Sequence, residues 1–142
     1  MSLNLNAVKK AYGTDLKKET EGRWHNLSMI DGAKIKVAKA GNPENEKLLR
    51  KLYKPYAQQI RRGKDLSKSV QDEIELKLLT KTILLDWEGI PDGEGGEIPY
   101  SEENAKELLS DPELKELKDE IHEASNDFAG FQAEMDEELE KN

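Results

Sequence analysis

A glycine- and proline-rich segment from Glu88 to Pro99 is the feature that most constrains how this chain can fold. Four glycines and two prolines fall within these twelve residues, and no helix survives such a composition. Apolar residues recur at helical spacing on both sides of the segment. The sequence therefore predicts two helices before it, at about 43–62 and 68–87, and two after it, at about 102–109 and 112–128.

Local signals support the two helices that precede the segment. Asn42 can cap the first one, and Pro43 follows at the position where a missing N–H costs nothing. Pro55 removes one backbone hydrogen bond inside this helix, which predicts a kink or break near Tyr53. The 68–87 helix has the densest apolar content in the chain. We therefore expect it to be the buried central helix.

A β-hairpin is predicted at residues 23–39. Asp31-Gly32 favours a two-residue type I′ turn, because that turn needs positive φ angles at both positions. The resulting register pairs Ile30 with Ala33, Ser28 with Ile35, Asn26 with Val37 and Trp24 with Lys39. Four apolar residues then share one face: Trp24, Ile30, Ile35 and Val37. An isolated hairpin is marginal in water, so this face must cover helices, a third strand or another subunit.

Together these elements predict a mainly α fold with an N-terminal β-hairpin (α+β), in one small domain at residues 23–131. Only 35% of the chain is hydrophobic, against roughly 45–50% in an average domain, which predicts a small core. Residues 1–22 are expected to be a flexible arm, although 6–12 could form one or two helical turns. Residues 132–142 carry five acids. This acidic tail is expected to be frayed, or ordered only by a partner.

The net charge of −8 combines two halves of opposite sign. Residues 1–68 carry 16 Lys and Arg against 7 Asp and Glu, a net charge of +9. Residues 69–142 carry 6 against 23, a net charge of −17. Such halves can attract each other within the chain, pair head-to-tail between copies or serve different partners. The acidic half could equally be a solvated surface that keeps the protein soluble.

Few residues of this sequence can carry catalysis. The absence of cysteine excludes a disulfide, a thiolate nucleophile and a Cys-based metal site. His25 and His122 are the two histidines, and neither has the second histidine of a zincin motif four residues away. No Gly-x-Ser-x-Gly nucleophile signature occurs. We therefore assign no catalytic residue, metal ligand or cofactor and expect a protein that is not an enzyme. A small hydrolase without a local signature stays an open alternative.

The glycine-rich segment does not match a ligand-binding loop of known pattern. It lacks the Gly-Lys-Ser/Thr ending of a P-loop. An EF-hand counted from Asp92 would place Glu97 where glycine is required, and Ile98-Pro99 would disrupt the loop. We therefore interpret the segment as a solvated connection.

Two further features concern location and partners. No stretch approaches the roughly 20 apolar residues of a membrane span, and the first residues lack the apolar run of a signal peptide, so we expect an intracellular protein. The predicted helix at 43–62 is rich in lysine and arginine and contains Tyr53 and Tyr56. Cations can neutralise phosphates and aromatic rings can stack on bases, so the alternative function is a small nucleic-acid-binding regulatory protein. Both tyrosines lie on the apolar stripe, and the chain as a whole is acidic, which makes nucleic acid the less favoured partner.

The order of motifs resembles a phage family. The hairpin ending in Ile35-Lys36-Val37-Ala38 is similar to the N-terminal part of the tail assembly chaperones of long-tailed bacteriophages. So is the block from Leu84 to Ile90, followed by a Gly/Asp loop and the run from Ile98 to Leu109. The late Ala124-Ser125-Asn126-Asp127-Phe128 completes the likeness, which covers residues 23–131 in order.

The resemblance implies a non-catalytic protein that assists tail formation in the cytoplasm of the bacterial host and is absent from the mature virion. In that family the chaperone coats the helical tape measure protein, and a longer form often recruits tail tube protein. Many copies on one client would make self-association useful. Five aromatic residues are candidate partner contacts: Trp24, Tyr53, Tyr56, Trp87 and Tyr100. Each tryptophan could instead belong to the core.

Overall fold

The protein, seen in a computed structural model that describes residues 2–141 and side chains as far as Glu137, contains eight α-helices and three β-strands in this range. The helices are α1 (Asn6–Tyr12), α2 (Leu16–Glu21), α3 (Pro43–Tyr53), α4 (Ala57–Arg61), α5 (Lys68–Leu78), α6 (Glu102–Ser110), α7 (Lys115–Ser125) and α8 (Phe128–Lys141). The strands are β1 (Arg23–Asn26), β2 (Lys34–Val37) and β3 (Leu84–Glu88). Short 3₁₀ turns link α3 to α4 and α6 to α7.

A small antiparallel sheet and the helices packed on it form one core. The strand order is β1-β2-β3, so β2 is central. Ile35 and Val37 of β2 are 1% and 0% exposed, and α7 packs against this strand. Among the described residues, the core cluster contains fourteen that are buried: Leu27, Ala33, Ile35, Val37, Leu79, Ile83, Leu84, Trp87, Ile90, Ala105, Leu109, Ile121, Ala124 and Phe131. The predicted mainly α class (α+β) is confirmed, although the sheet has three strands and not the two of the predicted hairpin.

The predicted register of the hairpin is wrong by three residues. Trp24 pairs with Lys36 rather than Lys39, and residues 27–33 form a longer connection. Gly32 has a φ of 82°, but no non-glycine residue has a positive φ in the described chain, so Asp31 cannot complete a type I′ turn. Ser28 leaves the ladder, because its N–H and hydroxyl donate to Glu120. A register shift by an odd number of residues moves each side chain of a strand to the other face of the sheet. Trp24 and Ile35 therefore lie on opposite faces.

The second predicted helix, at 68–87, is also corrected. Helix α5 ends at Leu78, a π-helical turn occupies Leu79–Ile83, and β3 follows directly. Thr80 and Thr82 donate their hydroxyls to the carbonyls four residues earlier, a pattern that tends to bend helices. The buried apolar residues expected of a central helix lie mainly in this turn and in β3, since α5 itself buries only Ile74.

The other predicted helices are close to the observed ones. The 43–62 helix breaks at the 3₁₀ turn Lys54–Tyr56, as Pro55 predicts. Asn42 caps α3 as expected, because its side chain accepts hydrogen bonds from the N–H groups of Glu44 and Asn45. Its amide nitrogen also donates to Lys39 O and Thr82 O, so this fully buried cap joins α3 to the π-helical turn. The 102–109 helix is α6, and the 112–128 helix is a 3₁₀ turn followed by α7.

The two ends contain more helix than the sequence predicts. Within the expected flexible arm, α1 and α2 are formed, and Glu19 of α2 is 7% exposed. The expected acidic tail continues α8 to Lys141. The arm and tail predictions also cover Met1, Asn142 and the side chains of residues 138–142, which lie outside the described residues.

Candidate partner-binding surfaces

Of the five candidate aromatic residues, Trp87 lies in the core and Tyr100 packs against it. Trp87 is 4% exposed and donates its indole N–H to the carbonyl of Ile98 at 2.8 Å. Tyr100 meets it edge to face, with the ring centroids 5.0 Å apart, and donates its hydroxyl to the carbonyl of Leu84 at 3.1 Å. Burial raises the pKa of Tyr100, and the carboxylates of Glu102 and Asp86 add to this shift. The pair fastens the glycine-rich segment to β3.

Trp24 lies instead on the outer face of the sheet, half-buried beside a cleft. The Lys34 ammonium lies over its ring, 4.7 Å from the centroid. This is a cation–π contact, in which the positive charge is attracted to the face of the aromatic ring. The cleft, of about 230 Å³, runs between α2, β1 and α8. We call it the Trp24 cleft; it is lined by Lys18, Glu21, Gly22, Arg23, Trp24, Lys36, Phe131, Glu134 and Met135.

Arg23 forms the inner wall of the Trp24 cleft. Its guanidinium donates to Asp127 Oδ2 at 3.0 Å and lies over the ring of Phe131, 5.1 Å from the centroid. Its Nε is buried and has no hydrogen-bond partner among the described residues. These contacts hold β1 against the start of α8, so that charged and apolar side chains line the cleft together.

An exposed apolar ridge runs along α1 to the first residue of α2, near this cleft. Its four members are 46–77% exposed: Leu5, Val8, Tyr12 and Leu16. Helix α1 is joined to α8 by Gln132, whose amide donates to the carbonyl of Ala11 at 3.1 Å. Thr14 also approaches Met135, a residue that lines the Trp24 cleft. These contacts place the end of α1 and the turn after it beside α8, the helix that lines one side of the Trp24 cleft.

Sequence reasoning missed this ridge, although a signal for it was present. Leu5, Val8 and Tyr12 are spaced by three and four positions, which is the helical repeat of one apolar face. Leu16 continues this count, but residues 13–15 interrupt the helix before it. Phe131 and Met135 of the cleft also follow helical spacing, where the predicted domain meets the tail expected to be frayed. Both signals are short and lie among polar residues, so neither stands out without knowing which faces the core leaves uncovered.

The remaining two candidates, Tyr53 and Tyr56, lie on a basic surface. Both are half-buried. Between residues 47 and 64 the chain has seven cations and no acid. All seven are exposed, and none forms an ion pair with a residue that the structure describes. We call this the basic surface; it comprises Lys47, Arg50, Lys51, Lys54, Arg61, Arg62 and Lys64.

An acidic surface lies on α6, α7 and the turn between them. It also comprises seven exposed side chains, and none has an ion-pair partner among the residues described. Its members are Glu103, Glu107, Asp111, Glu113, Glu116, Asp119 and Glu123. Helix α5 contacts α3, which carries part of the basic surface, and α6, which carries part of the acidic surface.

A cluster of polar residues around Glu120 is the nearest arrangement to a catalytic group. Ser28 Oγ donates to Glu120 Oε1 at 2.6 Å, and His25 Nε2 lies 2.9 Å from Glu120 Oε2. A nucleophilic serine needs a histidine between it and the acid, whereas here the glutamate stands between the other two. The geometry fits a clamp that fastens the β1–β2 connection to α7. Within the described residues no group of three or more potential metal ligands converges.

Comparison with known proteins identifies a phage-derived family. Over the described residues, no helix is long and apolar enough to cross a membrane. Searches of curated proteins and of solved structures gave no significant match. Residues 40–142 match the family described as YdaY prophage protein, a stretch that includes every helix from α3 onward. Because the match spans well over half of the sequence, the chain belongs to the YdaY prophage protein family.

Proposed function

We propose that this prophage protein is a tail assembly chaperone that binds the tape measure protein and keeps it soluble in the cytoplasm of the bacterial host. Membership of a prophage family supports a phage role, and the resemblance of residues 23–131 to tail assembly chaperones supplies the specific one. The role is one of binding, without catalysis. Tail tube protein is a second candidate partner.

The observation that carries this proposal is the apolar ridge of α1 near the Trp24 cleft. Five of the seven large apolar side chains that are exposed in the described chain lie between Leu3 and Leu16. A helical client exposes an apolar stripe of its own, and an apolar groove is a common receptor for such a helix. Each large side chain that becomes fully buried contributes roughly 1.5–3 kcal/mol. The ridge therefore offers enough surface to shield one stripe of a client.

Co-expression with the tape measure protein of the same prophage tests the proposal. We expect wild-type chain to keep the client soluble and to co-purify with it. The triple variant Leu5→Ser, Val8→Ser and Tyr12→Ser should lose most of this effect, because it removes the ridge without touching the core. Trp24→Ala should weaken capture, because it removes an aromatic side chain from the lining of the cleft.

The matched control replaces exposed apolar residues elsewhere. Met29 and Ile60 are 84% and 46% exposed and lie outside the ridge. The double variant Met29→Ser and Ile60→Ser should solubilise the client as well as wild type does. A client that stays insoluble with wild-type chain, or that is equally soluble with the ridge variant, would contradict the proposal.

The basic surface favours a second candidate function, nucleic-acid binding. Tyr53 and Tyr56 accompany seven exposed cations there, the combination that suits phosphates and bases. Anisotropy of a labelled DNA or RNA oligonucleotide tests this function. Binding to nucleic acid should collapse steeply as salt rises, whereas capture of an apolar client should persist.

A further inference from the structure

We propose that the basic surface docks on the acidic surface of a second copy of this chain, so that copies associate head-to-tail. The two surfaces carry equal numbers of exposed charges of opposite sign. The inference concerns surfaces distinct from the ridge and cleft, and it stands whether or not the client is the tape measure protein.

The two surfaces are not neutralised by each other within one chain. Described ion pairs fasten other elements, for example Lys81 to Glu102 at 2.9 Å and Lys118 to Glu75 at 3.5 Å. None of the described ion pairs joins the basic surface to the acidic surface. Fourteen exposed charges thus stay available for a contact between molecules.

The spacing of the charges suits a contact between helices. Lys47, Lys51 and Lys54 recur at intervals of four and three residues, which places them along one face of α3 and the turn after it. On the acidic surface Glu116, Asp119 and Glu123 recur at three and four residues along α7. Two helices that meet along such stripes can match several charges at once, and this fixes the register of docking.

Each surface also has apolar area that a contact can bury. Ile60 is 46% exposed, and Tyr53 and Tyr56 are half-buried beside the cations. Leu114 and Leu117 are half-buried beside the acids. Apolar area enclosed by a charged rim is the usual composition of a protein interface. The charges would select the partner, and the apolar residues would add affinity.

Because the contact joins two different surfaces, it leaves one free surface at each end of a pair. Such heterologous contacts build open chains or closed rings rather than stopping at a two-fold dimer. The mean mass should therefore rise with concentration beyond that of a dimer. Salt should reverse the association, because exposed charges are screened over about 8 Å at physiological ionic strength.

Charge reversal on each surface tests the inference by sedimentation velocity. The first variant carries Lys47→Glu, Lys51→Glu and Lys54→Glu; the second carries Glu113→Lys, Glu116→Lys and Glu123→Lys. Each alone should associate roughly 10- to 100-fold more weakly than wild type. Mixed together they should associate again, because the intact acidic surface of the first variant can dock on the intact basic surface of the second. The measurements compare about 50 mM with about 500 mM salt.

Two further variants separate location from net charge and from folding. The first carries Lys9→Glu, Lys10→Glu and Lys17→Glu on α1 and α2. It changes the net charge by the same amount as the triple reversal on the basic surface, and it should associate as wild type does. Lys47→Gln, Lys51→Gln and Lys54→Gln remove charge without adding repulsion and should weaken association less than reversal does. Circular dichroism checks that all variants are folded.

Several outcomes would overturn the inference. Nuclease-treated wild-type chain that stays monomeric at low salt would do so, as would reversed variants that fail to associate when mixed. A monomer that binds an oligonucleotide through the same lysines would assign the basic surface to nucleic acid instead. A variant that loses association but keeps client capture, or that keeps association but loses client capture, would show that the inference and the proposed function stand or fall separately.

Discussion

Glu120 shows how one carboxylate can hold two elements together. Burial pushes its pKa upward, but hydrogen bonds from the Ser28 hydroxyl, from His25 and from the Ser28 N–H outweigh this effect, so the pKa of Glu120 lies below its ordinary value. A carboxylate with a depressed pKa stabilises the fold while it is ionised. The contribution of Glu120 to stability is fully present above the pKa that this carboxyl has in the unfolded chain. It is lost as the pH falls through the lower pKa that the same carboxyl has in the folded protein.

The variant Glu120→Gln should therefore destabilise the protein in a pH-dependent way. Near neutral pH we expect the free energy of unfolding to fall by about 1–3 kcal/mol, because the hydrogen bonds to a charged acceptor are removed. The difference from wild type should shrink in acid, as the carboxylate of the wild type becomes protonated. Urea unfolding at neutral pH and at about pH 3 measures both values.

Glu123→Gln is the control for this prediction. Glu123 is exposed on the same helix, so its replacement should change the free energy of unfolding by no more than about 0.5 kcal/mol. A loss at Glu120 that is independent of pH would mean that the clamp acts through shape and not through charge.

At the scale of elements, the glycine-rich segment is ordered by specific contacts despite its composition. Asp92 Oδ1 accepts hydrogen bonds from the N–H groups of Glu94 and Gly96, which lower the pKa of Asp92. Ile98 N–H donates to the carbonyl of Ile90. The segment is thus a closed turn anchored beside β3, and its glycines have different roles.

Gly89→Ala and Gly93→Ala should differ in cost. Both glycines have positive φ, 80° and 82°, so alanine is strained by about 1–2 kcal/mol at either position. A Cβ at Gly89 would also lie 2.6 Å from the carbonyl oxygen of Gly32, whereas Gly93 has open space. Gly89→Ala should therefore lose about 1–3 kcal/mol more than Gly93→Ala. Chemical unfolding compares them, and equal losses would show that the β1–β2 connection yields freely.

The elements that sequence predicted well depend on local chemistry. Asn42, Pro43 and Pro55 act on hydrogen bonds within a few residues of themselves, so the start of α3 and its break near Tyr53 followed directly from their identities. The same locality explains why helices α6 and α7 were found close to their true bounds.

The elements that it missed depend on distant partners. Leu84 and Trp87 fit a helical stripe as well as a strand, and only pairing with β2 decides for the strand. The hairpin register was lost for a similar reason, because Ser28 bonds to Glu120 from a helix far along the chain. The ridge on α1 could not be identified as exposed until the covered faces were known.

For the whole molecule, the start of the family match is informative. The match begins at residue 40, yet the central strand of the sheet precedes it. Ile35 and Val37 of that strand are almost completely buried. Ala38 N–H also donates to the carbonyl of Ile83, and Ala40 N–H to that of Ser125. The matched region therefore needs the preceding strands to complete its core.

Two truncations should behave oppositely. Removal of residues 1–13 should leave a folded chain whose Tm is within a few degrees of wild type, because α1 buries no residue. Removal of residues 1–39 should abolish cooperative unfolding, since it deletes two strands and their part of the core. Thermal melts followed by circular dichroism measure both. A cooperative melt of residues 40–142 would show that the sheet is dispensable.

The opposite placement of the two tryptophans gives the chain two optical reporters. The indole of Trp87 is buried beside Tyr100. Its fluorescence emission should therefore be that of an apolar environment and should change only when the core unfolds. The indole of Trp24, with Lys34 over its ring at the rim of a cleft, remains accessible to a soluble quencher. Replacing either one by phenylalanine isolates the other, so fluorescence can distinguish occupancy of the cleft from loss of the fold without any added label.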